Sequence, residues 1–252
     1  MVRGSIILAV VLLGSIAHSA ISWAQQPLKV AGDDVPPWAV HEKSSNALSG
    51  VFVDLTNAIA KDAGLPVQYQ VMTFADLIPA LTSGKIDVIA TEMAITPARA
   101  QHVDFSSPIY NPPKEALVVL ASDTTAYRNL ADLKNLPVGV QKGSIQFALL
   151  RRIGCFSEIK VYDTIKDVWS AVASGQVKAA ATPGGDTIFA AKQGQLPNLR
   201  IVSSYQSPSP IPRVGIAVRK GNSELLGKIN RSLARLEADG TVKSDLRQIR
   251  CR

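Results

Sequence analysis

Two kinds of apolar pattern alternate along this chain: short apolar-rich runs, continuous or alternating, and longer stretches in which apolar residues recur every three or four positions. The runs at 28–31, 67–72, 115–120, 138–140 and 214–218 are predicted strands, because short runs that are continuously apolar or alternate with polar residues suit strands buried on one face or both. Between them, residues 53–63 carry Leu55, Ala58 and Ile59 on one face and Asp62 on the other, and stop at Gly64. Residues 224–237 do the same with Leu225, Leu226, Ile229, Leu233 and Leu236. Both stretches are predicted helices. Strands alternating with helices imply an α/β architecture.

The pattern also repeats. Residues 73–91 recur as 164–182, and seven of the 19 aligned positions are identical: Thr73/Thr164, Asp76/Asp167, Ala80/Ala171, Ser83/Ser174, Gly84/Gly175, Ala90/Ala181 and Thr91/Thr182. Chance would give about one identity at ordinary residue usage. Thr-x-x-Asp can start a helix, and Ser-Gly can end one by placing Gly in the left-handed position after the last turn. Each copy therefore predicts helix, stop and buried strand, once in each of two similar lobes. Ligands of open α/β sheets bind beyond the carboxyl ends of strands, so Thr91 and Thr182 are expected to face one cleft from opposite sides, in the manner of a clamp. Proline-rich segments at 111–114 and 207–212 are the expected crossovers. The predicted division is residues 25–111 plus 213–252 in lobe 1 and 112–212 in lobe 2.

At the amino terminus, Arg3 precedes an apolar run over 6–13, and Ser22-Trp23-Ala24 supplies small residues where a signal peptidase cleaves. The run is too short to span a membrane. Residues 1–24 therefore read as a signal peptide, and the mature protein as periplasmic. A formal charge of +7 is spread along the chain without an aromatic-interleaved basic patch, which argues against nucleic acid as a partner. The spacing of Cys155 and Cys251 and the scatter of His18, His41 and His102 fit no metal motif, and no cofactor is expected. In an oxidising compartment the two cysteines are candidates for a disulfide.

The candidate binding residues lie at predicted strand ends. Asp33 and Trp38 fall in a rigid turn after the first strand. Thr91, Glu92 and Ala94 follow the strand of the first repeat copy, and Thr96-Pro97-Ala98-Arg99 begins a helix with a good cap and a pre-organised first residue. Ser144 lies in the glycine-containing turn over 141–146; Thr182 ends the second copy and Asp186 follows it. A guanidinium fork suits a carboxylate, which singles out Arg99; the alternative for that residue is a surface pair with Asp104.

With Gly50 to Leu55, Leu77 to Asp87, the run from Ile95 to Tyr110 and the Leu-Glu-Ala-Asp-Gly-Thr segment at 236–241 in view, the chain resembles the bacterial extracellular solute-binding proteins of the polar amino-acid type. The resemblance covers nearly all of the mature chain. It implies a type II two-lobe fold with mixed sheets flanked by helices, and a monomeric receptor that is not an enzyme. Such a receptor closes on a small carboxylate-bearing ligand and delivers it to an ABC transporter permease, with Arg99 at the position that grips the ligand α-carboxylate. The chain departs from the family pattern at several places. Ala94 stands where a small hydroxyl residue is usual, and Glu92 where a small residue is. Pro183 takes the place of the Asp that meets the ligand ammonium, with Asp186 three residues later. Val35 and Val51 replace the aromatic residues that sandwich the ligand, leaving Trp38 and Phe52 as candidates. Glu92 and Asp186 also keep open an exported lyase of the cyclohexadienyl dehydratase type, since a desolvated carboxyl can act as a general acid.

Overall fold

The structure, a computed structural model, describes residues 26–42 and 47–251. The leader predicted at 1–24 and the side chain of Cys251 lie outside the described residues. In chain order, the first part of the fold comprises β1 (Leu28–Gly32), a small hairpin of β2 (Val40–Glu42) and β3 (Ala47–Ser49), and α1 (Val51–Ala63). It continues through β4 (Val67–Val71), α2 (Phe74–Thr82), β5 (Val88–Ile89), α3 (Pro97–Ala100) and β6 (Val103–Phe105). The second part comprises β7 (Ala116–Leu120), β8 (Pro137–Gln141), α4 (Ile145–Ile153), β9 (Glu158–Tyr162), α5 (Ile165–Ala173), β10 (Ala179–Thr182), α6 (Gly184–Lys192) and β11 (Leu199–Ile201). The chain then returns through β12 (Ala217–Arg219), α7 (Ser223–Ala238) and α8 (Thr241–Cys251).

Two five-stranded sheets result, ordered β4-β1-β5-β12-β6 and β11-β7-β10-β8-β9. In each sheet the strand of the repeat copy is central: β5 runs parallel to β1, and β10 parallel to β8. Each is then flanked by an antiparallel neighbour, β12 or β7. The sheets are therefore mixed, and each carries apolar side chains on both faces. Val30, Val88 and Val218 pack toward α1 and α7, while Ala31, Ile89 and Ala217 pack with Leu77 and Leu81 of α2. In the second lobe, Leu117, Val119, Val138 and Val140 pack with Leu149 and Leu150 of α4, while Val168 and Val172 of α5 are buried against the other side.

The repeat copies fold alike. Gly84 and Gly175 both adopt left-handed backbone, with φ of 78° and 73°, where a side chain would be strained. The starts differ in detail. Thr164 accepts a hydrogen bond from the Asp167 amide at 3.1 Å, whereas the Thr73 hydroxyl donates to the Asp76 carboxylate at 2.7 Å and caps no amide. Three predicted elements shift. The first helix begins at Val51, two residues before its expected start. The strand expected over 214–218 is confined to β12, because Val214 instead bridges Ala94 and Tyr110 singly. On α7, Ser232 is fully buried, while Leu226 is only partly covered. The last helix, α8, packs against α1 and α7.

Candidate functional site

A cavity lies between the sheets, at the strand ends on both sides. Lobe 1 supplies Asp33, Val35, Trp38, Phe74, Thr91, Glu92, Ala94 and Arg99. Across from them stand Glu115, Gln141, Ser144, Ile145, Gln146 and Asp186, and prolines of both crossovers complete the lining. Eight of the ten sequence-derived candidates are thus brought together: Asp33, Trp38, Thr91, Glu92, Ala94, Arg99, Ser144 and Asp186.

Two candidates lie elsewhere. Phe52 is 1% exposed within the core; it shares the apolar face of α1 with Leu55 and Ile59 and packs beneath Trp38, ring centroids 5.8 Å apart. Thr182 is fully buried because β10 continues through it. It pairs with Ala116 of β7, donates to the Ala116 carbonyl at 3.2 Å and accepts from Thr187 at 2.8 Å. The sheet takes this hydroxyl, and the symmetry of the repeat breaks at its last residue. Cys155 is partly buried, and the side chain of its candidate disulfide partner, Cys251, lies outside the described residues.

Arg99 sits on the single turn of α3, with the Thr96 hydroxyl accepting from its amide at 3.2 Å. Its guanidinium is buried, donates to the Ala94 carbonyl at 2.8 Å and to the Gly143 carbonyl of the opposite lobe at 3.1 Å, and lies 5.2 Å from the centre of the Phe74 ring. Among the described residues no carboxylate lies within ion-pair distance of it. Asp104, the alternative partner, pairs with Lys220 at 2.6 Å instead. Burial pulls the Arg99 pKa down to about 10, which leaves it charged at neutral pH. A buried cation whose neighbours are carbonyls and a ring is short of an anion.

The other charged side chains lining the cavity, among the described residues, are acids. Asp33 accepts from the Thr91 hydroxyl at 2.5 Å, yet burial raises its pKa. Asp186, in the first turn of α6, accepts from the Trp38 indole N–H at 2.5 Å, a bond that joins the lobes. Glu92 faces Asp186, and its Oε2 atom is buried without a hydrogen-bond partner. Burial first and the Asp186 charge second push Glu92 well above the ordinary carboxylate range; burial likewise raises Asp186. Two like charges in one dry site cannot both ionise cheaply, so this pair holds a proton.

Glu115, Gln141, Gln146 and Phe74 are lining residues that the sequence reading did not single out. Glu115 had a readable signal, an acid at the head of the apolar run 116–120 directly after the first crossover. It accepts from Ser209 at 3.1 Å and from the Tyr205 hydroxyl, tying the outgoing crossover to the returning one. The glycines before Asp186 allow the close approach of α6. A Cβ on Gly184 would lie 1.8 Å from the Lys114 carbonyl oxygen, and one on Gly185 would lie 2.9 Å from both Glu92 carboxyl oxygens.

A family model described as bacterial extracellular solute-binding proteins, family 3, matches residues 28–248. The L-arginine-binding protein of Pseudomonas aeruginosa is 30% identical over 244 residues, covering 92% of each chain. An ancestral arginine-binding protein solved with glutamine bound superposes with a TM-score of 0.80 at 36% identity, over 88% of this chain and 96% of that one. The ancestral arginine-binding protein solved with arginine bound gives a TM-score of 0.80 at 35% identity, over 88% and 97%.

Proposed function

We infer the function from a plain premise: the chain belongs to the bacterial extracellular solute-binding proteins, family 3. It is the substrate-binding component of an ABC importer. Beyond that, we propose that the ligand is an amino acid whose α-carboxylate engages Arg99 and whose ammonium and polar or cationic side chain meet the acidic wall of Asp33, Glu92, Glu115 and Asp186. The observation that carries this reading is a buried, carboxylate-free guanidinium in a cavity whose other charged lining residues, among those described, are all acids. The arginine and glutamine named for the relatives support it as probes. We further propose export by the leader at 1–24, a monomer in solution and a membrane permease as partner. No helix among the described residues is long and apolar enough to cross a membrane.

Recognition and closure, not catalysis, are the proposed work. Calorimetry with L-arginine and L-glutamine tests the anchor. Arg99→Ala should weaken binding by about 2–5 kcal/mol, the range for truncating one partner of a buried charged pair. An Arg99→Ala protein that binds within twofold of the parent would refute it. The acid Glu92 is what favours a lyase, and disappearance of prephenate or arogenate on incubation would decide for that reading.

A further inference from the structure

Glu92 and Asp186 belong to different lobes. Glu92 follows β5, and Asp186 opens α6. They come together where Gly185 lets the helix approach the Glu92 carboxyl and the Trp38 ring, at 2.9 and 3.2 Å from the position a Cβ would take. The groups facing the pair are the Trp38 indole, which donates to Asp186; the Tyr110 hydroxyl, buried without a partner; and the Asp33 carboxyl. Glu115 adds another acid to the same lining. Among the described residues the one cation lining the cavity, Arg99, is committed to Ala94 and Gly143; Lys114 and Lys192, on the elements around α6, are exposed. Closing the lobes therefore brings two carboxyls out of water and against each other with no protein cation beside them.

We propose that Glu92 and Asp186 form a specificity pair across the cleft that requires one positive charge when the lobes close. A proton from solvent supplies it when the ligand side chain is neutral, and the ligand supplies it when its side chain is cationic. The proposal rests on the amino-acid reading above. A zwitterion's carboxylate neutralises Arg99, and its ammonium one further acid, which leaves the pair short by one charge. With a neutral side chain, protein, ligand and one proton combine; with a guanidinium or ammonium side chain, no proton is needed. The raised pKa values of the pair agree with this proton count.

The test is calorimetry with L-glutamine and L-arginine between pH 5.5 and 8.5, repeated in buffers of different ionisation enthalpy to count protons. The glutamine complex should hold about one proton more than the arginine complex: glutamine binds with uptake approaching one proton only at the alkaline end, where its affinity falls by about tenfold per pH unit. Arginine should bind with about one proton fewer than glutamine, releasing the shared proton where the free protein already holds it, so the preference for arginine over glutamine grows with pH. In Glu92→Gln, glutamine affinity should lose its pH dependence and arginine affinity should fall. Equal proton counts for the two ligands, or a difference that survives Glu92→Gln, would overturn the proposal while leaving the amino-acid reading intact. Failure of both probes to bind would sink that reading, and the melting temperature then judges the pair. A carboxyl whose pKa is raised on folding binds more protons folded than unfolded, so its contribution is present in acid and lost as pH climbs above the ordinary 4.5 through the raised value. Wild type should therefore lose stability relative to Glu92→Gln as pH rises. Parallel melting profiles for the two proteins would overturn the shared proton.

Discussion

At the scale of single residues, burial decides what each candidate does. Trp38 and Phe52 were equivalent in the sequence, the two aromatics left beside Val35 and Val51, which stand where the family has its sandwiching rings. The structure separates them by what their polar atoms can reach. Phe52 has none and stays in the core, whereas the Trp38 N–H crosses the cleft to Asp186. Trp38→Phe keeps a ring against Phe52 and Tyr110, whose ring centroids stand 5.8 and 5.3 Å away, but removes the donor. A hydrogen bond to a charged acceptor is worth about 1.5–3 kcal/mol, so ligand affinity should fall by about that much in calorimetry. An unchanged affinity would show that the indole only packs. Arg99 was legible because its chemistry and its strand-end position agree. Glu115 left only a local trace and Gln141 none, since their role depends on a fold that brings the start of β7 and the end of the oppositely directed β8 to one cavity.

Elements were legible where a local signal coincides with burial. Both repeat copies became helix, left-handed glycine and strand because the start, stop and apolar face point to one answer in each. The hydroxyls at their starts do unequal work, however, and a mutation can read the difference. Thr164 satisfies a backbone amide, so Thr164→Ala should cost about 1 kcal/mol in urea melts. Thr73 bonds only a side chain, so Thr73→Ala should cost clearly less. Equal losses would mean that Thr73 caps its helix in solution. Thr182 and Phe52 were misplaced by the same limitation. A period of two or 3.6 says which face a residue occupies, but not whether that face meets a cleft or a core. The helix α6 was hidden because it opens on Gly184-Gly185, a poor helix start on propensity; contacts far away in sequence, at Lys114 and Glu92, require those glycines.

At the scale of the molecule, the polar contacts that join the lobes among the described residues include Trp38 to Asp186, Arg99 to Gly143, and Lys166 to Asp34 at 3.0 Å. They differ in weight. The Lys166–Asp34 pair is partly exposed, and such pairs contribute about 0–1 kcal/mol and weaken with salt. The other two are buried in the cavity wall, so closure depends chiefly on how nearly α6 can approach the Glu92 segment. Gly185→Ala isolates that step. Within α6, alanine is the better helix former by about 1 kcal/mol, so lobe 2 taken alone should be stabilised by the change. The added Cβ would nonetheless stand 2.9 Å from both Glu92 oxygens and 3.2 Å from the Trp38 ring when the lobes are shut. The variant should therefore melt at or above the wild-type temperature without ligand, bind L-arginine or L-glutamine at least tenfold more weakly, and show less contraction in small-angle scattering when ligand is added. A variant that binds and contracts like wild type would mean that the Glu92 segment yields as the lobes close, and that the approach of α6 does not limit the clamp.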